Sequence, residues 1–347
     1  MNRTQYLLQR LLLVGVSFIG ILLVTFLFTQ IVPGGPVEQY IASLRAAGAE
    51  GGASGAAAEA MSQEQIEFIR QAYNLDKPLL TRFKIWLVDD RFGMQAESYK
   101  FTNKTAWELI SERFPVSLTF GIPSLILTYL ICIPLGIAKA LRNGKPFDLV
   151  SSLVVFVLYA LPAFAFGMLL RLVFSGTTDW SLNWFPLGGF RSANWESLSA
   201  WQQILDQAHH MFLPVLCYVI GNFAVMTLLM KNSLLEQISQ EYMRTVLAKG
   251  ATLQHAVWHH AVRNALIPIA TGIGGILTIM FAGSVLIENV FNIPGLGQLS
   301  LDAVITRDYP LFLGIVCIQS MLGLLGRVLS DFCYLLVDPR IDFGGGG

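Results

Sequence analysis

Charge is what this chain has least of. Asp, Glu, Lys and Arg supply 13% of its 347 residues, whereas a soluble domain carries about 25%. With 54% of residues hydrophobic, the composition excludes an ordinary soluble domain and points to a membrane protein. The 23 basic and 23 acidic residues cancel, so there is no basic surplus to attract nucleic acid. Cysteine is scarce too. Cys132, Cys217, Cys317 and Cys333 each stand in an apolar run, with no C-x-x-C or Cys/His metal spacing. This argues against a disulfide framework and against a metal site. The phosphate-binding G-x-x-x-x-G-K-(S/T), the nucleophile motif G-x-S-x-G and the zinc motif H-E-x-x-H are all missing. No residue is therefore assigned as catalytic, and no cofactor is expected in this chain. Any ATP consumed on its behalf has to be hydrolysed by another chain.

What the chain does have is apolar runs of membrane-spanning length, about 20 residues each. They predict an all-α polytopic protein with six transmembrane helices: Leu7–Ile31, Val116–Ala138, Leu149–Phe174, Met211–Met230, Leu266–Val290 and Leu311–Val337. The first run exceeds the 7–15 residues of a signal-peptide core and ends in QIVPGGP, so it is expected to stay uncleaved. Pro123, Pro134 and Pro162 fall inside runs, which neighbouring helices tolerate in a membrane. Gly272–Gly275 allows close helix approach. If both termini are cytoplasmic, the inner segments hold Arg3, Arg10, Lys139, Arg142, Lys145, Lys231, Arg244, Lys249, Arg263 and Arg340, while the shorter outer loops hold only Arg191 and Arg307. That bias follows the positive-inside rule.

The domain boundaries follow. Residues 1–31 are the N-terminus and first helix, 32–113 a long external insertion, 114–343 the core, and 344–347 a linker-like tail. In the insertion, Ala46–Ala60 is rich in Gly, Ala and Ser, Ser62 with Gln65 suggests a helix cap, and Asp76-Lys77-Pro78 breaks before a second helix. It reads either as a structural lid or as a docking surface for a partner protein. The outer loop Ser175–His210 carries Trp180, Trp184, Trp195 and Trp201, residues that favour the membrane interface.

One polar segment stands between two apolar runs: KNSLLEQISQEYMRTVLAKGATLQHAVWHHAVRNALIP, Lys231–Pro268, with helical periodicity broken at Gly250. Two short helices around a glycine turn at the membrane surface would make a handle for a soluble partner. Within it, EYMRTVLAKG and HHAVRNALIP resemble the cytoplasmic coupling loop of ABC-importer permeases of the dipeptide/oligopeptide type. GSVLIENVFNIPGLGQLSLDAVITRDYP and VDPRID resemble that family's later segments. The long first loop and the ending DPRIDF are most similar to the first permease subunits of microcin C and peptide importers. The resemblance runs from Leu7 to Phe343. It implies an ATPase-coupling loop, 231–264, with Glu241, Tyr242, Arg244, Thr245, Ala248, Lys249, Gly250, His260, Arg263 and Asn264 at its motif positions. It implies a second homologous permease, two cytoplasmic ATPase domains using ATP and Mg, and a periplasmic substrate-binding protein. It also implies uptake of peptides or peptide-like compounds such as microcin C across a bacterial inner membrane. A stand-alone ion-coupled carrier or channel is the alternative, and would need no ATPase partner.

Few ionisable residues fall inside the runs. Arg327 and Asp331 are spaced i, i+4 on the last helix; they read either as a buried pair or as lining of a polar translocation path. Glu288 and Arg171 lie nearer the outer boundary. His255, His259 and His260 sit on one helix without a carboxylate to complete a metal site.

Overall fold

The computed structural model describes residues 3–32, 35, 37–38, 66–68, 70–71, 74–101, 103–270, 272 and 285–337. The Gly/Ala/Ser-rich stretch Ala46–Ala60, the Ser62 cap, most of the fifth apolar run and the DPRIDF ending lie outside the described residues. The elements are α1 Arg3–Ile31, α2 Leu79–Lys84, α3 Ala106–Leu141, α4 Pro146–Ala160, α5 Ala163–Phe174, α6 Ala200–Ile238, α7 Glu241–Ala248, α8 Leu253–Ala256, α9 Val262–Ala265, α10 Val285–Val290, α11 Leu296–Ile305 and α12 Tyr309–Val337. No strand occurs among the described residues. Among the described residues, four helices (α1, α3, α6 and α12) are long and apolar enough to cross a membrane, and the pair α4–α5 makes a fifth if counted as one span. The protein is all-α and polytopic.

The third run is not the straight helix its apolar length predicts. α4 and α5 meet at 94°. Pro162 holds Leu161 in an extended conformation, φ −88° and ψ 118°, because the proline ring disfavours the α region for the residue before it. In α3, Pro115, Pro123 and Pro134 are all accommodated within one helix. The buried hydroxyls of Ser124 and Thr128 turn back to the carbonyls of Phe120 and Ser124, each at 2.7 Å, so neither is stranded in an apolar bundle.

The chain divides into two compact units. The first takes in the residues up to Leu12, Arg113–Gln298 and the chain from Leu322 onward. One of its cores gathers Ile137, Met230, Leu234, Met243, Val257 and Ile269. A second gathers Phe120, Leu213, Cys217, Ile287, Phe291 and Ile293. α3 and α6 cross where Gly136 leaves no room for a side chain. A Cβ there would lie 2.6 Å from the Met230 Cβ and 2.8 Å from the Thr227 carbonyl oxygen. Gly136→Ala should therefore destabilise by about 1–3 kcal/mol. Adding Met230→Ala should not restore it, because the Thr227 oxygen is backbone. Thermal unfolding of the purified chain checks this, and a wild-type midpoint for Gly136→Ala would refute the close crossing.

The second unit joins the insertion to parts of α1 and α12, covering Leu13–Glu112 and Leu299–Met321. The insertion is thus no free-standing domain. Trp86, Phe83 and Met94 pack on Leu22 and Phe26 of α1 and on Leu313 and Cys317 of α12. A buried carboxylate locks this arrangement. Asp308 accepts from the Ser98 hydroxyl and from the N–H groups of Tyr99 at 3.1 Å and Lys100 at 3.3 Å. It also accepts from Leu311 N–H at 3.3 Å, capping α12. The aspartate of the R-D-Y-P segment is therefore a structural tie. Cys132, Cys217 and Cys317 are free and buried.

Candidate functional site

The polar segment 231–265 starts as a continuation of a membrane helix. α6 has 39 residues, about 58 Å at 1.5 Å per residue, against a hydrocarbon core of about 30 Å. Nothing between Gly221 and Gly250 is proline or glycine, so the helix runs past Met230, where the apolar run ends, to Ile238. The chain turns at Ser239, whose hydroxyl donates to Glu236 O at 2.7 Å, and enters α7. Gly250 then takes φ +90°, a conformation L residues rarely adopt. A Cβ there would meet nothing within 4 Å, so its requirement is conformational and not one of space. Thr252 caps α8, its Oγ1 accepting from His255 N–H at 3.3 Å. A π-turn, Val257–Ala261, leads into α9.

The segment has two faces. Its base is buried: Met243, Ala256, Val257, Ala261 and Ala265 pack against Ile137 of α3 and Met230 and Leu234 of α6. Polar bonds fix the base. Tyr242 donates its hydroxyl to Gln237 Oε1 at 3.0 Å and accepts from Asn264 Nδ2 at 3.3 Å, joining α6, α7 and α9. Ser233 donates to Ala265 O at 2.9 Å. The motif residues Tyr242 and Asn264 are thus framework. Glu241, Arg244, Thr245, Ala248, Lys249, Gly250, His260 and Arg263 lie on the exposed face. Arg244 and Glu241 pair at 3.3 Å, but both are so exposed that the pair adds little stability. His255 and His259 stack at 4.0 Å. The exposed face also presents Leu247, Leu253 and Trp258, 39%, 55% and 50% exposed. Reading by motif passed over these three. Their signal was available: apolar residues off the buried stripe of a short amphipathic helix.

A charge cluster fixes the root of the segment. Asp148, at the start of α4, binds Lys231 of α6 with both oxygens at 2.8 Å. It also binds Lys139 of α3 at 3.1 Å and Gly144 N–H at 3.1 Å. Lys139 is wholly buried, its Nζ donating to Ser151 and Ser152 at 2.9 and 2.7 Å. Three helices thus meet at one carboxylate. Basic residues counted only for orientation turn out to hold the bundle together.

The E-x-x-F-x-x-P-G-L-G segment is also explained. Glu288 is buried and accepts from Ser117 Oγ at 3.3 Å and Gln298 N–H at 2.8 Å. Leu296 N–H in turn donates to Ser117 Oγ at 2.8 Å. Arg171 donates to the Val290 carbonyl at 2.6 Å. Arg327 and Asp331 need correction: they do not form the intrahelical pair their spacing suggests. Asp331 pairs with Arg10 of α1 at 3.3 Å, and Arg327 is exposed. A helix at i, i+4 offers one partner, but the neighbouring helix offers another that the spacing cannot reveal.

Residues 132–343 match the family described as "Binding-protein-dependent transport system inner membrane component". The chain is 39% identical to the inner membrane ABC transporter permease YejB of Escherichia coli O157:H7, over 98% of this chain and 99% of that one. It is 38% identical to the peptidoglycan transport system permease YejB of Agrobacterium fabrum, over 97% and 98%. It is 30% identical to the oligopeptide transport system permease AppB of Bacillus subtilis, over 97% and 99%.

Proposed function

Since the chain belongs to the family of binding-protein-dependent transport system inner membrane components, we propose that it is the permease subunit of an ATP-driven importer of peptides or peptide-like compounds, microcin C among them. The relatives named for oligopeptide and peptidoglycan transport support a substrate containing peptide. The observation that carries the coupling role is the division of 231–265 into a fixed base and an exposed face. One of two cytoplasmic ATPase domains in the complex grips the exposed face, with Leu247, Leu253 and Trp258 as apolar anchors and Arg244, Lys249 and Arg263 around them. ATP and Mg are bound and used by those partners. Because α6 is one helix from the membrane into this segment, closure of the ATPases moves α6 as a lever. Tyr242 and Asp148 carry the displacement to α9, α3 and α4. Such a lever is a two-state element biased from a remote site. A second homologous permease completes the pore, and a periplasmic binding protein delivers substrate on the side of the insertion. Both termini and 231–265 face the cytoplasm.

The test is Leu253→Asp with Trp258→Asp, both at exposed positions. Loss of interface anchors costs about 2 kcal/mol or more, so co-purifying ATPase should fall roughly thirtyfold or more, while the melting temperature of the chain is unchanged. Undiminished ATPase recovery would sink the coupling assignment. Uptake by the chain in vesicles free of any ATPase would favour a carrier instead.

A further inference from the structure

An apolar groove on the first unit is lined by none of the residues of the segment 231–265 described above. Its volume is about 560 Å³, and its walls include Leu135, Pro146, Phe147, Val150, Val154 and Phe223. Ser151, the one hydroxyl among the described residues that line it, turns away and donates to the Phe147 carbonyl at 2.7 Å. At the Phe147 end the surroundings change sharply. The Arg142 guanidinium lies 4.8 Å from the centre of the Phe147 ring, and Lys145 stands exposed just before Pro146. The nearby acid, Asp148, is already bound by Lys139 and Lys231. Among the described residues, Arg142 and Lys145 therefore have no acidic partner. The first turn of α4, a helix of 15 residues, adds its positive end beside them.

We propose that this groove binds an anionic phospholipid, with an acyl chain along Val150, Val154 and Phe223 and the phosphate held by Arg142 and Lys145. A groove this apolar in a membrane protein is filled by something apolar, and the uncompensated cations at one end select an occupant with a negative head. The turn bearing those cations is fixed by Gly144 N–H donating to Asp148 at 3.1 Å. The bound lipid would therefore rest on the carboxylate cluster that roots the segment 231–265. The inference needs only that the chain is membrane-embedded, and it stands apart from the coupling role proposed above.

The experiment titrates the full chain, purified in detergent, with phosphatidylglycerol or phosphatidylcholine and counts retained lipid by native mass spectrometry. Phosphatidylglycerol should be retained preferentially. Arg142→Gln and Lys145→Gln should each weaken its retention about fivefold, the change that about 1 kcal/mol per basic residue represents. Val150→Trp, at an exposed wall position, should weaken both lipids by filling the groove. A photo-crosslinking residue at Val154 in intact cells should gain the mass of a phospholipid. Equal retention of the two lipids, or retention unaffected by the two glutamine variants at an unchanged melting temperature, would overturn the proposal. So would a Val154 crosslink to another polypeptide, which would mark the groove as a protein interface.

Discussion

Asp148→Asn should cost the folded chain about 3–5 kcal/mol, the usual penalty for breaking a buried ion pair by removing one partner. The side chain keeps its size and loses its charge. Lys139, with none of its surface exposed, would be left among Ser151, Ser152 and a carbonyl. Lys231 is partly exposed and can turn its ammonium toward water, as lysine stems allow. The stranded charge is therefore Lys139, and the order of rescue follows. Asp148→Asn with Lys139→Met should recover most of the loss, whereas Asp148→Asn with Lys231→Met should recover less. Melting temperature and the yield of monodisperse protein measure it. A stable Asp148→Asn variant, or rescue by Lys231→Met alone, would show that the cluster does not carry the energy assigned to it.

That cluster also shows how far the sequence could be read. The all-α class, the first helix and the interruption of the polar segment at Gly250 are local properties, set by apolar length and by a glycine with φ +90°. They were legible. Helix ends were less so, because helical propensity continues after hydrophobicity stops: α6 passes Met230 with no breaker to end it. The 94° bend was underread because proline often sits in membrane helices without breaking them, as the three in α3 do. Partners in space were not legible at all. Spacing offered Arg327 to Asp331, and the fold supplied Arg10. Lys139 and Lys231 counted as two positive charges for orientation, and nothing local says that both reach one aspartate. In the polar segment the motif named residues without saying where packing would put them. Packing made Tyr242 and Asn264 framework, and left Arg244, Lys249 and Arg263 on the open face.

Gly295→Ala should disrupt the Glu288 cradle, and a double-mutant cycle should show it as strong non-additivity. A Cβ on Gly295 would lie 2.6 Å from both the Glu288 carboxyl carbon and Oε2, and 2.7 Å from Oε1. The carboxylate ends a flexible side chain, but it is not free to move. Ser117 and Gln298 hold it, as does the Gly297 N–H, and a Cβ on Gly297 would itself come within 3.0 Å of Oε2. Moving the carboxylate therefore breaks bonds whose buried donors are then left unmet, at about 1–3 kcal/mol each. Gly295→Ala should cost at least about 2 kcal/mol. Glu288→Ala should cost as much or more, since the same donors lose their acceptor. With the carboxylate already gone, however, the methyl group of Gly295→Ala meets space, so the double variant should be about as stable as Glu288→Ala alone. The coupling energy is then nearly the whole cost of the glycine substitution. If the two costs simply add in thermal unfolding, the glycine serves the backbone turn and not the carboxylate, and the E-x-x-F-x-x-P-G-L-G segment is not built around Glu288.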